Sequence, residues 1–272
     1  MSFDFHSNRD KYFNLQKTNT DKYIIPFIEQ FKKIESSLKV LEVGCRDGGV
    51  LHPFLQRGCH ITGVELSPNM LLEAKKRYSD NIERSEANFI AMDIHDFDSS
   101  EKFDIIILKD VIEHVYHHDK LIKKLKTLMS SDGVIYFGYP PWQNPYGGHQ
   151  QVANNKILSK IPYYHLLPNF LYYGILKLAK EKSFKFLKAT KETRISIEGF
   201  RKYMSSNGLT IWKEELYLIN PMYEAKFGIK PRKQFRLIAA IPYFRNYLTT
   251  TSDCLVISNA HNEQLLSEKE QH

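Results

Sequence analysis

The stretch VLEVGCRDGGV, residues 40–50, decides how the rest of the chain is interpreted. It begins with apolar residues typical of a buried strand and continues into a loop that contains three glycines. A glycine-rich loop between a strand and a helix is typical of folds that hold a cofactor beside a parallel sheet. However, Arg46 replaces the second glycine of G-x-G-x-x-G, and Glu42 and Asp47 flank it. The cofactor must therefore tolerate an arginine and two carboxylates.

Strands and helices alternate on both sides of this loop. The segments with the composition of buried strands are 39–43, 60–66, 88–93, 103–108 and 133–139. The segments between them have helical spacing, and one begins with Ser67 as N-cap and Pro68 as first helical residue. Such alternation requires right-handed crossovers and predicts an α/β fold with a doubly wound, mostly parallel sheet.

The alternation stops after strand five and resumes with a helix that ends at Gly208. Two further strands, 209–219 and 253–260, bring the predicted sheet to seven strands. We therefore predict a single domain over residues 1–272 with two helical insertions. One insertion, 140–195, follows strand five, and the other, 218–250, lies between the last two strands. Both are expected above the carboxyl ends of the strands, where ligands of such sheets bind.

The net charge of +7 is unevenly distributed along the 272 residues. Residues 156–250 contain 18 Lys and Arg against six Asp and Glu, which suits an acidic substrate, a nucleic acid, an anionic membrane surface or an ordinary solvated face. No apolar run is long enough to span a bilayer, and the first residues lack the apolar core of a secretion signal. The three cysteines are odd in number and unclustered. These features predict a cytoplasmic protein without disulfides.

Four segments at the ends of predicted strands carry acidic residues: EVGCRDG, GVELS, AMDIHDF and FDIIILKDVIEHV. Together they resemble the motifs of the Rossmann-like class I S-adenosylmethionine-dependent methyltransferases, closely over residues 39–139 and loosely over 196–260. The resemblance implies binding of S-adenosylmethionine and of its demethylated product, S-adenosylhomocysteine. The residues it assigns to the cofactor site are Glu42, Gly44, Cys45, Gly48, Glu65, Leu66, Asp93, Ile94, Lys109 and Asp110. In the family, residues at the positions of Glu65 and Asp93 bind the ribose hydroxyls and the adenine amino group.

The charge of the glycine loop agrees with this cofactor. S-adenosylmethionine is a sulfonium cation without a phosphate, so Glu42 and Asp47 are compatible with it, whereas they would repel a pyrophosphate. Without a pyrophosphate to approach, the second glycine is less necessary. Arg46 is expected to point to solvent, the alternative being an ion pair with the cofactor's carboxylate.

Transfer of a methyl group to oxygen requires that the acceptor lose a proton, and two histidines are candidates for the base. His149 follows the segment YPPW directly after strand five, and histidine titrates near neutrality. His114 belongs to Asp110-x-x-Glu113-His114, whose spacing would place the three side chains on one face of a helix. His149 is the first choice, and a structural role for either imidazole is the alternative.

The same spacing is similar to E-x-x-E-H of methyltransferases in ubiquinone biosynthesis and of small-RNA methyltransferases, where it binds a divalent metal. Aspartate replaces the first glutamate here, and metal-free relatives also contain Glu-His-Val. We therefore expect no metal.

The sequence favours a small-molecule methyltransferase, most of all an O-methyltransferase of a glycan, a lipid precursor or another secondary metabolite. One alternative is an RNA or other nucleic-acid methyltransferase that uses the basic half, although the sequence lacks a recognition module or a dense arginine patch. The other alternative is a non-catalytic cofactor-binding protein. Residues 166–187 are predicted to form a lid over the acceptor. A helix in peripheral contact with a membrane is the second interpretation of that segment.

Overall fold

The computed structural model describes residues 8–270 of the chain. Residues 1–7 and 271–272 lie outside the described residues. They include both ends of the predicted domain and the first residues of the chain, from which we predicted that there is no secretion signal. In the described part, no helix is both long enough and apolar enough to cross a bilayer.

Among residues 8–270, eight strands form a single sheet in the order β3-β2-β1-β4-β5-β8-β6-β7. The first five are parallel to one another, and β8 is antiparallel to both β5 and β6. The strands are β1 Lys39–Val43, β2 His60–Glu65, β3 Ala87–Ala91, β4 Phe103–Lys109, β5 Met129–Tyr139, β6 Leu209–Ile219, β7 Arg232–Lys233 and β8 Thr251–Ser258. The predicted mostly parallel, doubly wound α/β sheet is confirmed, with the two-residue β7 as an additional edge strand.

Helices connect the strands and cover both faces of the sheet. They are α1 Arg9–Asn19, α2 Ile25–Ile28, α3 His52–Leu55, α4 Pro68–Arg77, α5 Ser79–Glu83, α6 His118–Leu128, α7 Asn169–Leu178, α8 Phe184–Glu192, α9 Ile197–Ser206, α10 Met222–Phe227, α11 Arg236–Ala240, α12 Arg245–Leu248 and α13 Asn259–Glu270. A π-helical turn, Thr20–Ile24, joins α1 to α2. The segment between β5 and α9 contains α7, α8 and three short 3-10 turns.

The two faces of the sheet contact separate apolar clusters. Ile105 and Ile107 of β4 belong to one cluster, whereas Ile106 and Leu108 belong to the other. Successive side chains of a strand point to opposite faces, so a strand covered on both sides is apolar throughout. This burial explains the uninterrupted run Ile-Ile-Ile-Leu in β4. A third, smaller cluster within the segment after β5 contains Tyr172, Leu176 and Leu187.

The N-terminal helix α1 was not predicted from the sequence. Its apolar residues are sparse, and its buried positions include two polar side chains, Gln16 and Asn19. Gly49 explains its close approach to the glycine loop, since a Cβ at Gly49 would lie 2.9 Å from Cβ of Gln16 and 3.0 Å from the carbonyl oxygen of Phe13. Helix α1 therefore covers the loop after β1 from above.

Candidate active site

The loop after β1 is held in a shape that only glycine adopts without strain at two positions. Gly44 and Gly48 have φ angles of +73° and +77°. A Cβ on Gly44 would lie 2.6 Å from the side chain of Val111, which follows β4. The amide of Gly44 donates a hydrogen bond of 2.7 Å to the carbonyl oxygen of Val64 in β2. The loop is therefore fixed to both neighbouring strands.

Arg46 does not point to solvent as expected. Its guanidinium lies over the ring of Tyr12 in α1, 4.7 Å from the ring centroid. Its backbone amide donates a hydrogen bond to Oε2 of Glu65 at 3.2 Å. The prediction was wrong because it did not include α1, whose aromatic ring stabilises the cation.

The two carboxyl groups beside the loop differ from ordinary surface acids. Glu42 is only 4% exposed, and its Oε2 has no hydrogen-bond partner among residues 8–270. Burial, and next the nearby Asp47, raises the pKa of Glu42 well above its usual value. Cys45 is buried with its sulfur towards β2, since a Cβ on Gly63 would lie 2.5 Å from that sulfur. Only the backbone of Cys45 is therefore available to a ligand.

The residues predicted to bind the nucleoside follow β2 and β3. Glu65 pairs with Ala91 in register, so the ends of both strands lie at one edge of the sheet. Each carboxylate oxygen of Glu65 accepts one backbone hydrogen bond, Oε2 from Arg46 and Oε1 from Ser67 at 3.0 Å. Asp93 accepts one from the amide of His95 at 2.9 Å. These bonds orient both side chains and leave lone pairs on their oxygens.

The two hydrophobic residues assigned to this part of the site differ in exposure. Leu66 is 70% exposed beside Glu65, whereas Ile94 is buried in the apolar core. Leu66 can therefore cover a bound ring with its side chain. Ile94 can contribute only through its backbone, as the resemblance implied.

An ion pair between Lys109 and Asp110 occupies the end of β4. Burial favours the neutral amine of Lys109, but Asp110 and then Tyr12 outweigh it and raise the pKa of the lysine. Asp110 has a φ angle of +54°, which turns the chain sharply after β4. The pair therefore presents one positive and one negative group at the mouth of the site.

A small cleft lies next to this pair. Besides Lys109 and Asp110, it is lined by Asn19, Tyr23, Ile24, Tyr136, Gly138, Asn220, Pro221, Thr251 and Asp253. Burial raises the pKa of Asp253 to about 7, against the opposing effect of Lys109. The sequence analysis missed this cleft, although a lone carboxylate in the buried strand DCLVIS is a signal that could have identified Asp253.

The two candidate bases, His114 and His149, lie side by side. Their ring centroids are 4.7 Å apart in an edge-to-face arrangement, and Phe186 of α8 contacts both rings. Glu113 joins them, so that one ligand atom from each of the three residues lies within 4.8 Å of the others. Both carboxylate oxygens of the buried Glu113 have no hydrogen-bond partner within the described part of the chain. The cluster offers two imidazole nitrogens and a carboxylate to a ligand.

The helical face predicted for Asp110, Glu113 and His114 is wrong. Ile112–His114 is a single 3-10 turn, and Asp110 precedes it in a left-handed conformation. The close contact with Val111 at the loop after β1 and the sharp turn at Asp110 leave no room for a regular helix start. Asp110 therefore forms an ion pair with Lys109 and does not share a helical face with Glu113 and His114.

Both imidazoles favour the neutral form. Burial, and next the neighbouring His114, lowers the pKa of His149 to about 4, while Asp110 opposes the shift. Burial also lowers the pKa of His114. The expectation that His149 titrates near neutrality, which rested on its residue type, is therefore wrong. At pH 7 both rings can accept a proton or coordinate a cation.

Residues 16–214 match a protein family described as a methyltransferase domain. The match covers well over half of the chain. The protein belongs to this family.

Similar proteins include the ubiquinone biosynthesis O-methyltransferase of Actinobacillus pleuropneumoniae, 33% identical over 36% of this chain and 44% of the relative. The (S)-tetrahydroprotoberberine N-methyltransferase of Eschscholzia californica is 26% identical over 38% of this chain and 30% of the relative. The chain thus spans less than half the length of these curated relatives. The crystal structure of magnesium protoporphyrin IX methyltransferase from Synechocystis with bound SAH covers 90% of this chain and 83% of its own at 14% identity, with a TM-score of 0.51. That likeness shows the fold of the methyltransferase family.

Proposed function

We propose that the protein is an S-adenosylmethionine-dependent methyltransferase that acts on an oxygen atom of a small molecule. The observation that carries the proposal is the acidic edge of the sheet, where Glu65, Asp93 and Asp110 follow three parallel strands. Carboxylates at this edge suit ribose hydroxyls, an adenine amino group and an α-amino group, and they repel phosphate. The proposed cofactor carries all three of those groups and no phosphate.

In this proposal different residues of the chain bind different parts of the cofactor. Glu65 accepts hydrogen bonds from the ribose hydroxyls, and Asp93 accepts one from the adenine amino group. The glycine loop, with the backbone of Gly44, Cys45 and Gly48, lies along the amino-acid part of the cofactor, and the carboxyl oxygens of Glu42 and Asp110 are acceptors for its amino group. Prior orientation of Glu65 by two backbone amides reduces the cost of ordering the site.

The acceptor is proposed to be a glycan, a lipid precursor or another secondary metabolite. The cleft beside Lys109 and Asp110 has mostly polar walls, which suit a polar group of such an acceptor. An oxygen acceptor is supported by the name of the ubiquinone O-methyltransferase, while the N-methyltransferase among the relatives keeps nitrogen as the alternative. His149 is proposed to accept the proton of a hydroxyl acceptor, with His114 as its neighbour and substitute.

Calorimetry with S-adenosylmethionine and S-adenosylhomocysteine tests the cofactor. Both should bind, and Glu65→Ala should weaken binding by roughly 1.5 to 3 kcal/mol through the loss of hydrogen bonds to a charged group. Glu83→Ala, at an exposed position of α5, is the matched control and should bind as the parent does. Absence of heat at millimolar ligand would refute the proposal, and unchanged affinity in Glu65→Ala would refute the placement of the ribose.

Two further alternatives make different predictions. A nucleic-acid methyltransferase should shift RNA in a gel with a strong dependence on salt, because phosphate contacts release counterions. A non-catalytic protein should bind the cofactor without turning over any acceptor. We propose neither of these functions. A salt-sensitive gel shift of mixed RNA by the parent protein would instead favour the nucleic-acid methyltransferase.

A second candidate is a metal-dependent version of the same reaction. The proximity of Glu113, His114 and His149, together with the unpartnered carboxylate, favours it. Two imidazoles and one carboxylate are ligands typical of divalent transition metals, and such an ion would polarise an acceptor oxygen in place of a base. Calorimetric titration with Zn²⁺ and Mn²⁺ separates the candidates. Binding that is lost in Glu113→Gln would favour the metal, and no binding would leave His149 as the base.

The segment 140–195 is proposed to act as a lid over the acceptor. It supplies His149 and Phe186, which contact each other beside the site. A lid must open for exchange, so its amides should gain hydrogen-exchange protection when cofactor and acceptor analogue bind. Equal protection in the free and bound protein would instead favour a static element.

A further inference from the structure

The segment Phe227–Tyr247, within the second insertion, exposes an unusual amount of apolar surface. The side chains of Ile229, Phe235, Leu237, Ile241, Tyr243 and Phe244 are all exposed, with Leu237 at 84% and Tyr243 at 70%. We call these six side chains the apolar patch. Large apolar side chains exposed this densely within one segment indicate an interaction site.

The same segment buries three of its polar residues. Arg245 and Asn246 are 7% and 0% exposed, and both bind Glu198 of α9, at 2.9 Å and 2.6 Å. Gln234 is also buried and donates to the carbonyl oxygen of Leu248 at 2.7 Å. Buried arginine, asparagine and glutamine beside exposed aliphatic side chains are uncommon in a surface segment. The polar contacts hold the segment on the domain with its apolar side chains facing outward.

The same segment also carries several cations. Residues 225–250 contain six Lys and Arg and no Asp or Glu. Of the six, Arg245 is bound to Glu198, and Lys233 lies 2.6 Å from Glu215. Lys230, Arg232 and Arg236 are exposed beside the patch, and the guanidinium of Arg232 lies 4.7 Å from the ring centroid of Phe235. The exposed surface of the segment therefore combines apolar side chains with positive charge.

We propose that the segment Phe227–Tyr247 docks the protein on an anionic lipid surface. Aliphatic and aromatic side chains enter the boundary between headgroups and acyl chains, while lysine and arginine contact anionic headgroups. Tyrosine is typical of that boundary because its ring is apolar and its hydroxyl is polar. A nucleic acid accounts for the cations but not for exposed aliphatic side chains such as Leu237 and Ile241.

The position of the docking segment relates it to the cleft. Asn220 and Pro221 line the cleft beside Lys109 and Asp110, and α10 leads from them directly to Phe227. A protein docked by this segment has its cleft close to the lipid surface. The docking itself does not depend on the proposed methyl transfer, so it is measured without cofactor or acceptor.

Sedimentation with lipid vesicles tests the inference. The chain of residues 1–272 should bind vesicles of phosphatidylcholine with about one third phosphatidylglycerol at least 10-fold more tightly than vesicles of phosphatidylcholine alone. The double variants Leu237→Ser/Ile241→Ser and Arg232→Gln/Arg236→Gln should each weaken binding to the anionic vesicles about 10-fold or more. These substitutions are at exposed positions, so unfolding is not expected, and circular dichroism checks it.

Matched controls separate docking from general charge and hydrophobicity. Leu72→Ser replaces an exposed leucine of α4, and Lys75→Gln/Lys76→Gln removes two exposed cations of the same helix. Both controls should bind the vesicles within about twofold of the parent protein.

Four results would overturn the proposal. The first is no binding to anionic vesicles at about 1 mM lipid, and the second is equal binding to both vesicle types. The third is loss of binding in the α4 controls as large as in the patch variants. The fourth combines two observations: the protein does not bind vesicles, and it sediments as a dimer that the double variant Leu237→Ser/Ile241→Ser dissociates. That result would show that the apolar patch binds a second copy of the chain. A protein that fails to bind cofactor but still docks would refute the proposed function alone.

Discussion

The sheet and the segment after β5 are stabilised by different kinds of contact. In the sheet, β4 is covered on both faces by apolar side chains, and Ile105 and Ile107 are fully buried. In the segment after β5, two buried charges are satisfied by the backbone. Lys191 donates to the carbonyl oxygens of His165 and Leu167, and Glu181 accepts from backbone amides. Apolar burial is read from a run of residues, whereas a charge bound to distant backbone leaves no pattern in the sequence.

The two regions also contribute differently to the proposed reaction. The ends of the strands carry Glu65, Asp93 and Asp110, which are proposed to bind the cofactor. The segment after β5 supplies His149, which is proposed to act on the acceptor. Mutations should therefore be able to impair cofactor binding and methyl transfer to the acceptor independently.

The largest expected effect tests that separation. His149→Ala should lower turnover by about 10² to 10⁴, because general base catalysis contributes that much, and should leave cofactor affinity nearly unchanged. Steady-state kinetics and calorimetry on the same preparation measure both quantities. Full activity in His149→Ala would mean that His114 is the base or that the acceptor needs no base. A loss of cofactor affinity as large as the loss of turnover would show that the two regions are not separable.

The second prediction concerns the apolar core of the sheet. Phe137 of β5 is fully buried, and its ring lies 5.0 Å from that of Phe200 in α9. Phe137→Ala should lower the free energy of unfolding by about 3 to 5 kcal/mol, since it leaves a cavity between sheet and helix. Urea denaturation measures the change. Phe170→Ala, at a position of α7 that is 74% exposed, is the control and should change stability by less than about 0.5 kcal/mol.

The third prediction concerns a buried charge in the segment after β5. Lys191 is 4% exposed, and its Nζ lies 2.6 Å and 2.5 Å from the carbonyl oxygens of His165 and Leu167. Lys191→Met keeps most of the side-chain volume but leaves both carbonyls without their donor, which should cost about 1 to 3 kcal/mol. Hydrogen exchange should show lost protection in this segment and little change in the sheet.

Lys188→Met is the matched control for that experiment. Lys188 lies on the exposed side of α8 and forms a surface ion pair with Glu192 at 3.6 Å. Exposed pairs of this kind contribute little, so the control should change stability by less than about 1 kcal/mol. Equal loss of protection in the sheet and in the segment would show that the two regions unfold together.

The difference between the regions also explains which features the sequence could predict. Strand β1 was predicted at its observed bounds, and the ends of β2, β3 and β4 within two residues, because buried parallel strands are apolar runs ended by glycine or acidic residues. The same strand ends placed Glu65 and Asp93 at one edge. Helix α1 was missed because few of its residues are apolar, and the position of Arg46 against Tyr12 was missed with it.

Contacts between loops that are distant in the chain could not be predicted from the sequence. Nothing in the spacing of Glu113, His114 and His149 indicates that a 3-10 turn after β4 and a loop after β5 bring them together. The docking segment was predicted only as part of a basic half, because the orientation of its apolar side chains depends on buried contacts between Arg245, Asn246 and Glu198. Such contacts are specified by the tertiary structure and not by local periodicity.

The smallest expected effect is the pH dependence of Glu181. Burial alone would raise the pKa of this carboxyl, but the amides of Asn154, Ser183 and Asn155 outweigh burial and lower it to about 2. Its usual value when unfolded is about 4.3, so the folded state is stabilised by the ionised carboxylate above about pH 4.3. That contribution is lost as the pH falls through the folded pKa near 2.

Glu181→Gln should therefore destabilise the segment after β5 by about 1 kcal/mol at pH 7, because the amide retains one of two accepting oxygens and no charge. Near pH 2 the parent loses its charge as well, so the difference between parent and variant should shrink towards zero. Limited proteolysis or hydrogen exchange of residues 154–183 across this range measures it, with the exposed Glu192→Gln as control. A difference that stays constant from pH 7 to pH 2 would mean that the carboxylate contributes through its shape and not its charge, and the contrast between an apolar sheet and a charge-anchored segment would then rest on Lys191 alone.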